Sequence, residues 1–217
     1  MNTTQLIAAV EQALQALEQV YRSSADESDL YEASLFGLAV HATRQAGGTV
    51  LLTSDGAAAA PTLRFRRSPG NLWSGNFSFG LASFVGSAKQ LEIHLGVFVT
   101  GASGVAHECD VVLLDSAEAQ RSRAGAVHPR RRGVISAVEA KHYVASPGLG
   151  IGRAFLGLAQ EIGAAKCNLG FPAKTSATLA TLLARKPSEC FDELLPTGAA
   201  AGRLRAQMDQ AIRNWLA

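Results

Sequence analysis

The sequence predicts an α/β fold: a mixed central sheet flanked by helices, with extra helices at the N- and C-terminal ends. Three observations carry this. Apolar residues recur at helical spacing at both ends of the chain and between. Short β-branched and aliphatic runs punctuate the middle. The central part orders them as helix, strand, strand, strand, helix, strand, the layout of a sheet covered by helices. At 217 residues, 47% hydrophobic and 18% charged, the chain suits one packed domain over 1–217.

Taken in order, Leu6, Val10, Leu14, Leu17 and Val20 predict a helix over 3–21, capped by Thr3 or Thr4. A second helix is expected over 28–45, stopped by Gly47 and Gly48. A strand follows over 49–53, and 62–66 reads as a strand that pairs back after the Asp55-Gly56 turn. The stretch 70–86, rich in Gly, Ser, Asn and aromatics, gives no clear assignment. Strands are expected over 90–100, 108–114 and 134–142, with a polar, exposed connection over 116–132. A helix over 152–162, a strand over 165–171, a helix over 176–185, a short element at 193–196 and an amphipathic helix over 201–216 complete the reading. That last helix carries Leu204, Met208, Ile212 and Trp215 on one face, as core packing or a contact surface.

A formal charge of +2 excludes a molecule that attracts nucleic acid by net charge, so such a role needs local basic patches or a partner. Cys109, Cys167 and Cys190 form no CxxC pair and suggest neither a zinc site nor a disulfide framework. The opening MNTTQLIAAVEQALQ lacks a basic region followed by an apolar core, so no signal peptide is expected. No apolar run is long enough to span a bilayer, and a cytoplasmic protein with no membrane association is the expectation.

The chemistry concentrates in GVAHECDVVLLD (104–115) and GVISAVEAKHY (133–143). Asp110 enters an apolar strand, and Glu139 and Lys141 interrupt the next. Strand side chains alternate, so Glu139 and Lys141 share a face, and Asp110 joins them if the strands are neighbours. Charges in apolar strands are costly unless paired or metal-bound. Two carboxylates can hold a hard divalent cation, and an adjacent lysine can orient a water or stabilise developing charge. That equipment suits metal-assisted phosphodiester hydrolysis.

An Asp on one strand, Glu-x-Lys on the next, then a helix and a strand resembles the PD-(D/E)xK, restriction-endonuclease-like nuclease superfamily. The lead-in Gly104, His107, Glu108, Asp110 is similar to the G-x-x-H-E-x-D style of some members, including type IV restriction-like enzymes. The resemblance covers about 28–185 and departs from the literal signature in having Cys109, not Pro, before Asp110. It implies a restriction-endonuclease-like fold and a DNA endonuclease using Mg²⁺, or Mn²⁺ in its place, with RNA the other polymer such folds handle. It also implies Asp110 and Glu139 as metal ligands, Lys141 as the activating residue and Glu32, on the preceding helix, as a further acid. Defence against foreign DNA is the setting it suggests.

Other candidates carry two readings each. His107 is a substrate contact or a loop histidine satisfied by backbone. Arg130, Arg131 and Arg132, with Arg121 and Arg123 nearby, grip phosphates or form a solvated loop. Arg64, Arg66 and Arg67 present the same choice. Phe77, Phe79 and Phe84 stack bases or fill the core. Glu108 is read as facing away from Asp110 into solvent. No zinc finger or helix-turn-helix pattern remains, so cleavage with little sequence preference, or targeting by a homo-oligomer or partner protein, is expected. The alternative function is a non-catalytic nucleic-acid-binding or assembly subunit on the same fold, which would need none of Asp110, Glu139 or Lys141.

Overall fold

A computed structural model describes residues 2–143, 145–184 and 186–217. Within them the chain is α/β, with a seven-stranded mixed sheet flanked by helices. Strands β1 (Gly48–Thr53), β2 (Phe79–Phe84), β3 (Gln90–Thr100), β4 (Ala106–Asp115) and β5 (Val134–Ala140) form an antiparallel meander. Strands β6 (Cys167–Gly170) and β7 (Glu189–Phe191) then add in parallel. The sheet keeps sequence order throughout. Helices α1 (Thr3–Ala13), α2 (Gln19–Ser24), α3 (Glu27–Gln45), α4 (Ser116–Gly125), α5 (Leu149–Ile162), α6 (Ala177–Leu183) and α7 (Ala199–Leu216) complete the described part.

Two apolar layers hold the sheet. On one side α1, α3 and α7 bury Leu6, Val10, Leu35, Phe36, Leu204, Met208 and Ile212 against Leu91, Ile93, Val111, Leu113 and Val138. On the other, α5 and α6 bury Phe155, Ala159, Ile162 and Leu179 against Val97, Val99, Val112 and Leu169. Helix α3 is fixed at its start by a reciprocal cap: Asp26 Oδ1 accepts the Asp29 N–H at 2.9 Å, and Asp29 Oδ2 accepts the Asp26 N–H at 3.1 Å. Its register decides which residue it offers to the sheet's edge.

Several expectations need correction. The helix expected over 3–21 is broken, because 14–18 leaves it to meet Leu63: Leu63 N–H donates to Ala16 O at 2.9 Å and Glu18 N–H to Leu63 O at 2.7 Å. Asn2, not a threonine, caps α1. The segment 62–66 contributes only that bridge and no sheet strand. The unassigned 70–86 contains β2, whose register with β1 runs Gly48↔Phe84 to Thr53↔Phe79. The connection expected over 116–132 contains α4; its buried face is Ser116, Glu118, Ala119 and Ser122, too polar to produce an apolar period. The last short strand is Glu189–Phe191, ahead of the 193–196 expected. Helix α6 stops at Leu183, and Arg185, the expected end, lies outside the described residues. The stripe on α7 is consumed internally: Leu204, Met208 and Ile212 are fully buried, and Trp215 packs on Phe84 and donates to Asp115 at 3.2 Å. It is no exposed contact surface. No helix among the described residues is long and apolar enough to cross a membrane.

Candidate active site

Strands β4 and β5 pair as far as Val111↔Val138. Just beyond, Asp110 Oδ2 accepts the backbone N–H of Ala140 at 2.6 Å, so a side chain replaces the ladder at that edge. On the other side of β5 the Lys141 N–H donates to Gly170 O at 2.9 Å, which holds the end of the strand against β6. Asp110 is only 4% exposed. The Lys141 ammonium lies 2.7 Å from Glu139 Oε1 and 3.7 Å from Asp110 Oδ2. The three side chains therefore meet at one end of the sheet. His142, next along, turns away and packs on the Tyr31 ring at 5.4 Å.

Glu32, half-buried on α3, lies within electrostatic reach of Asp110 and Glu108. Burial, then Asp110, Glu108 and Asp29, push its carboxyl up to about 9 against a partial offset from Lys141. Burial, then Glu139, likewise pushes Asp110 up to about 7, although Lys141 and the Ala140 N–H pull the other way. Burial works against the Lys141 ammonium, but Asp110 and Glu139 outweigh it and hold its pKa above the ordinary lysine range. Glu108 is exposed, yet burial of its carboxyl and the nearby Glu139 push its pKa up. Its expected orientation is corrected: the Glu108 charge acts on both Asp110 and Glu32, so Glu108 stands with them and not away from them.

The cluster holds four carboxylates, Glu32, Glu108, Asp110 and Glu139, against one ammonium. Among the described residues no group of three or more His, Cys, Asp or Glu stands close enough to enclose a metal ion. The donor set nonetheless suits a hard cation that takes one or two protein carboxylates and fills its remaining positions with water and substrate oxygens, as Mg²⁺ does. An acid cluster that one lysine offsets only in part is the electrostatic counterpart of such an ion.

The basic and histidine candidates fall elsewhere. His107 sits 3.6 Å from Glu161 of α5. Arg130, Arg131 and Arg132 stand before the first residue of β5, whereas Glu139 and Lys141 stand at its far end. That separation is about 20 Å at strand rise. Arg130 is committed to Glu118, donating from Nη2 at 2.6 Å and from Nε at 2.9 Å. Arg132 is 3.9 Å from Glu118 and otherwise exposed, as is Arg131. Arg130, and loosely Arg132, thus serve a structural acid and not the cluster of Asp110, and Arg131 is exposed. Comparison with protein-family models, curated proteins and solved structures gave no match.

Proposed function

We propose that this protein is a Mg²⁺-dependent nuclease that hydrolyses DNA phosphodiester bonds at the Asp110, Glu139 and Lys141 cluster. The observation that carries the reading is the meeting of Lys141 with both carboxylates at the sheet's end, with Glu32 on α3 within electrostatic reach of Asp110. A scaffold gains nothing from gathering four acids around one lysine, because like charges at close range oppose folding. The finer fold reading, a restriction-endonuclease-like core, is supported by the order α3, β3–β4–β5 antiparallel, α5, β6 parallel.

Asp110 and Glu139 are the residues that would hold the ion. When bound, Mg²⁺ supplies charge neutralisation and a water of lowered pKa. Lys141 has three N–H donors, one directed at Glu139. Those remaining can orient the attacking water or bond a non-bridging phosphate oxygen as negative charge grows on it. Glu32 places a carboxyl of high proton affinity beside Asp110 and can store a proton near the reacting phosphate. RNA is the other polymer this chemistry accepts, since it reads phosphates and not sugars.

The test is cleavage of plasmid, linear duplex, single-stranded DNA and RNA with Mg²⁺, Mn²⁺ or EDTA. Asp110→Ala, Glu139→Ala and Lys141→Ala should each lower the metal-dependent rate by about 100-fold or more while leaving the circular dichroism spectrum intact. Equal turnover in EDTA, or an undiminished rate in Asp110→Ala, overturns the reading.

A further inference from the structure

A cleft of about 620 Å³ is lined by Arg64, Arg66, Arg67, Phe77 and Phe98. Two contacts tie its wall to the elements that carry the acids. Phe98 stands directly across the β3–β4 ladder from Glu108. Arg67 Nε donates at 2.9 Å to Asp29, which lies on α3 one turn before Glu32.

The charge in the cleft is unevenly matched. Asp29 offsets Arg67, and Glu18, 4.0 Å from Arg64, offsets that side chain weakly. Arg66 is 8% exposed and pairs with no carboxylate among the described residues; its Nη2 donates only to the carbonyls of Asn71 and Ser74. A buried guanidinium without a counter-charge is costly to hold. Gly96, with φ of 61°, lies beside it: the Arg66 side chain and the Ser68 carbonyl are in ordinary contact range, 3.4–3.8 Å, of where a Cβ would project. The guanidinium of Arg66 lies 4.2 Å from the centroid of the Phe77 ring and that of Arg64 lies 4.8 Å from it. Arg64 is 44% exposed, so it is the layer a flat ligand can displace or lie upon.

We infer that this cleft binds an unpaired nucleic-acid strand and leads it to the acid cluster, its phosphates on Arg64 and Arg66 and one base stacked on the Phe77–arginine layer. This rests on the nuclease reading and narrows its substrate to single strands, flaps or frayed ends. Bases in a duplex are stacked on one another and cannot reach a ring set in a concave wall, whereas an unpaired base can. A net charge of +2 gives little general attraction for duplex, so a local arginine and aromatic site must supply the affinity.

Binding is measured by fluorescence anisotropy in EDTA, where no cleavage occurs. The probes are a labelled mixed-sequence 15-mer single strand, the same strand in duplex, and the RNA of the same sequence. Thymidine monophosphate and inorganic phosphate serve as competitors. Both single strands should bind more tightly than the duplex. Phe77→Ala should weaken them about tenfold. Arg64→Gln should reduce the salt dependence by about one phosphate contact and serves as the readout if Phe77→Ala unfolds. Duplex binding as tight as single strand, unchanged affinity in both variants, or full displacement by the mononucleotide or phosphate at equimolar concentration overturns the inference. Because metal is absent, the two readings fail separately. Strand binding without cleavage in Mg²⁺ sinks only the nuclease, and cleavage indifferent to Phe77 and Arg64 sinks only the cleft.

Discussion

Removing the charge of Glu32 should make the protein more stable and, on the nuclease function proposed above, less active. Glu32→Gln keeps the size of the side chain and deletes its titration. In the folded chain, burial and then Asp110, Glu108 and Asp29 move the carboxyl from 4.5 up to about 9. A carboxyl raised on folding contributes fully below its unfolded pKa, and that contribution is lost as pH rises toward the folded value. The window is therefore pH 4.5 to about 9. At pH 7 the folded chain holds a proton that the unfolded chain has released, at a cost of about 3 kcal/mol for the interval above 4.5. Glu32 is only half-buried, and water screens part of this, so the expected gain is about 1–3 kcal/mol. For a domain of this length that is roughly 3–10 °C in Tm.

The assay is thermal unfolding of both proteins from pH 5 to pH 9, with and without Mg²⁺. Near pH 5 the two should melt together. Toward pH 9 the wild type should fall behind the variant, and Mg²⁺ should close much of the gap. Cleavage by Glu32→Gln in Mg²⁺ should drop by about tenfold or more, as for loss of one positioned acid. Parallel Tm profiles across the whole range would refute the reasoning, because they would mean that Glu32 ionises freely in the folded protein.

Three further outcomes follow from the packing. Burial raises the Glu118 carboxyl, but hydrogen bonds from Arg130 and Arg121 outweigh it and hold it at about 2, a contribution present above pH 4.5 and lost as pH falls toward 2. Glu118→Ala should therefore cost about 3 kcal/mol in urea denaturation at pH 7 with cleavage preserved, and an unchanged midpoint would contradict this. Met208→Ala should cost about 2–5 kcal/mol with no change in sedimentation, because Met208 is fully buried within the chain; a changed oligomeric state at constant stability would restore α7 as an interface. Gly152→Ala would bring a Cβ within 2.4 Å of Leu179 Cδ1 and 2.7 Å of Leu182 Cδ2. Overpacking of about 1–3 kcal/mol should exceed the helix-propensity gain of about 1 kcal/mol, and a higher Tm would show that α5 and α6 yield easily.

The parts of the fold that were legible are those where one period dominates. Residues 90–100 alternate long enough to specify β3, and 28–45 carries enough apolar positions at helical spacing to specify α3 within a residue of its observed start. What was not legible depends on partners distant in sequence. Helix α1 ends at Ala13 because Leu17 is drawn to Leu63, an interaction invisible to local spacing. Helix α4 buries Glu118 and Ser122 in place of leucines, so its inward face reads as surface. Strand β2 sits in a Gly- and Ser-rich stretch and takes its identity from β1 and β3 on either side.

The residues of the candidate site stand out in the sequence as charges set in apolar strands, and the structure adds what separates them from the other buried acids. Glu92 is 2% exposed and Glu118 is 7% exposed, and both interrupt otherwise covered surface much as Asp110 does. Position and burial alone do not distinguish them. The direction in which folding moves their pKa does. For Glu92, burial raises the carboxyl, yet His94 and Arg123 more than compensate and hold it at about 2. Glu118 is held at about 2 by Arg130 and Arg121 in the same way. These acids are paid in full by their neighbours and need nothing else. Asp110 and Glu32 move upward, because one lysine faces several carboxylates. A fold that leaves this deficit in place accepts a stability cost that an added cation would remove, and the deficit lies where β4 and β5 part at the sheet's end. Buried acids matched by arginine therefore belong to the architecture, and the under-matched acids around Lys141 belong to the chemistry proposed for this chain.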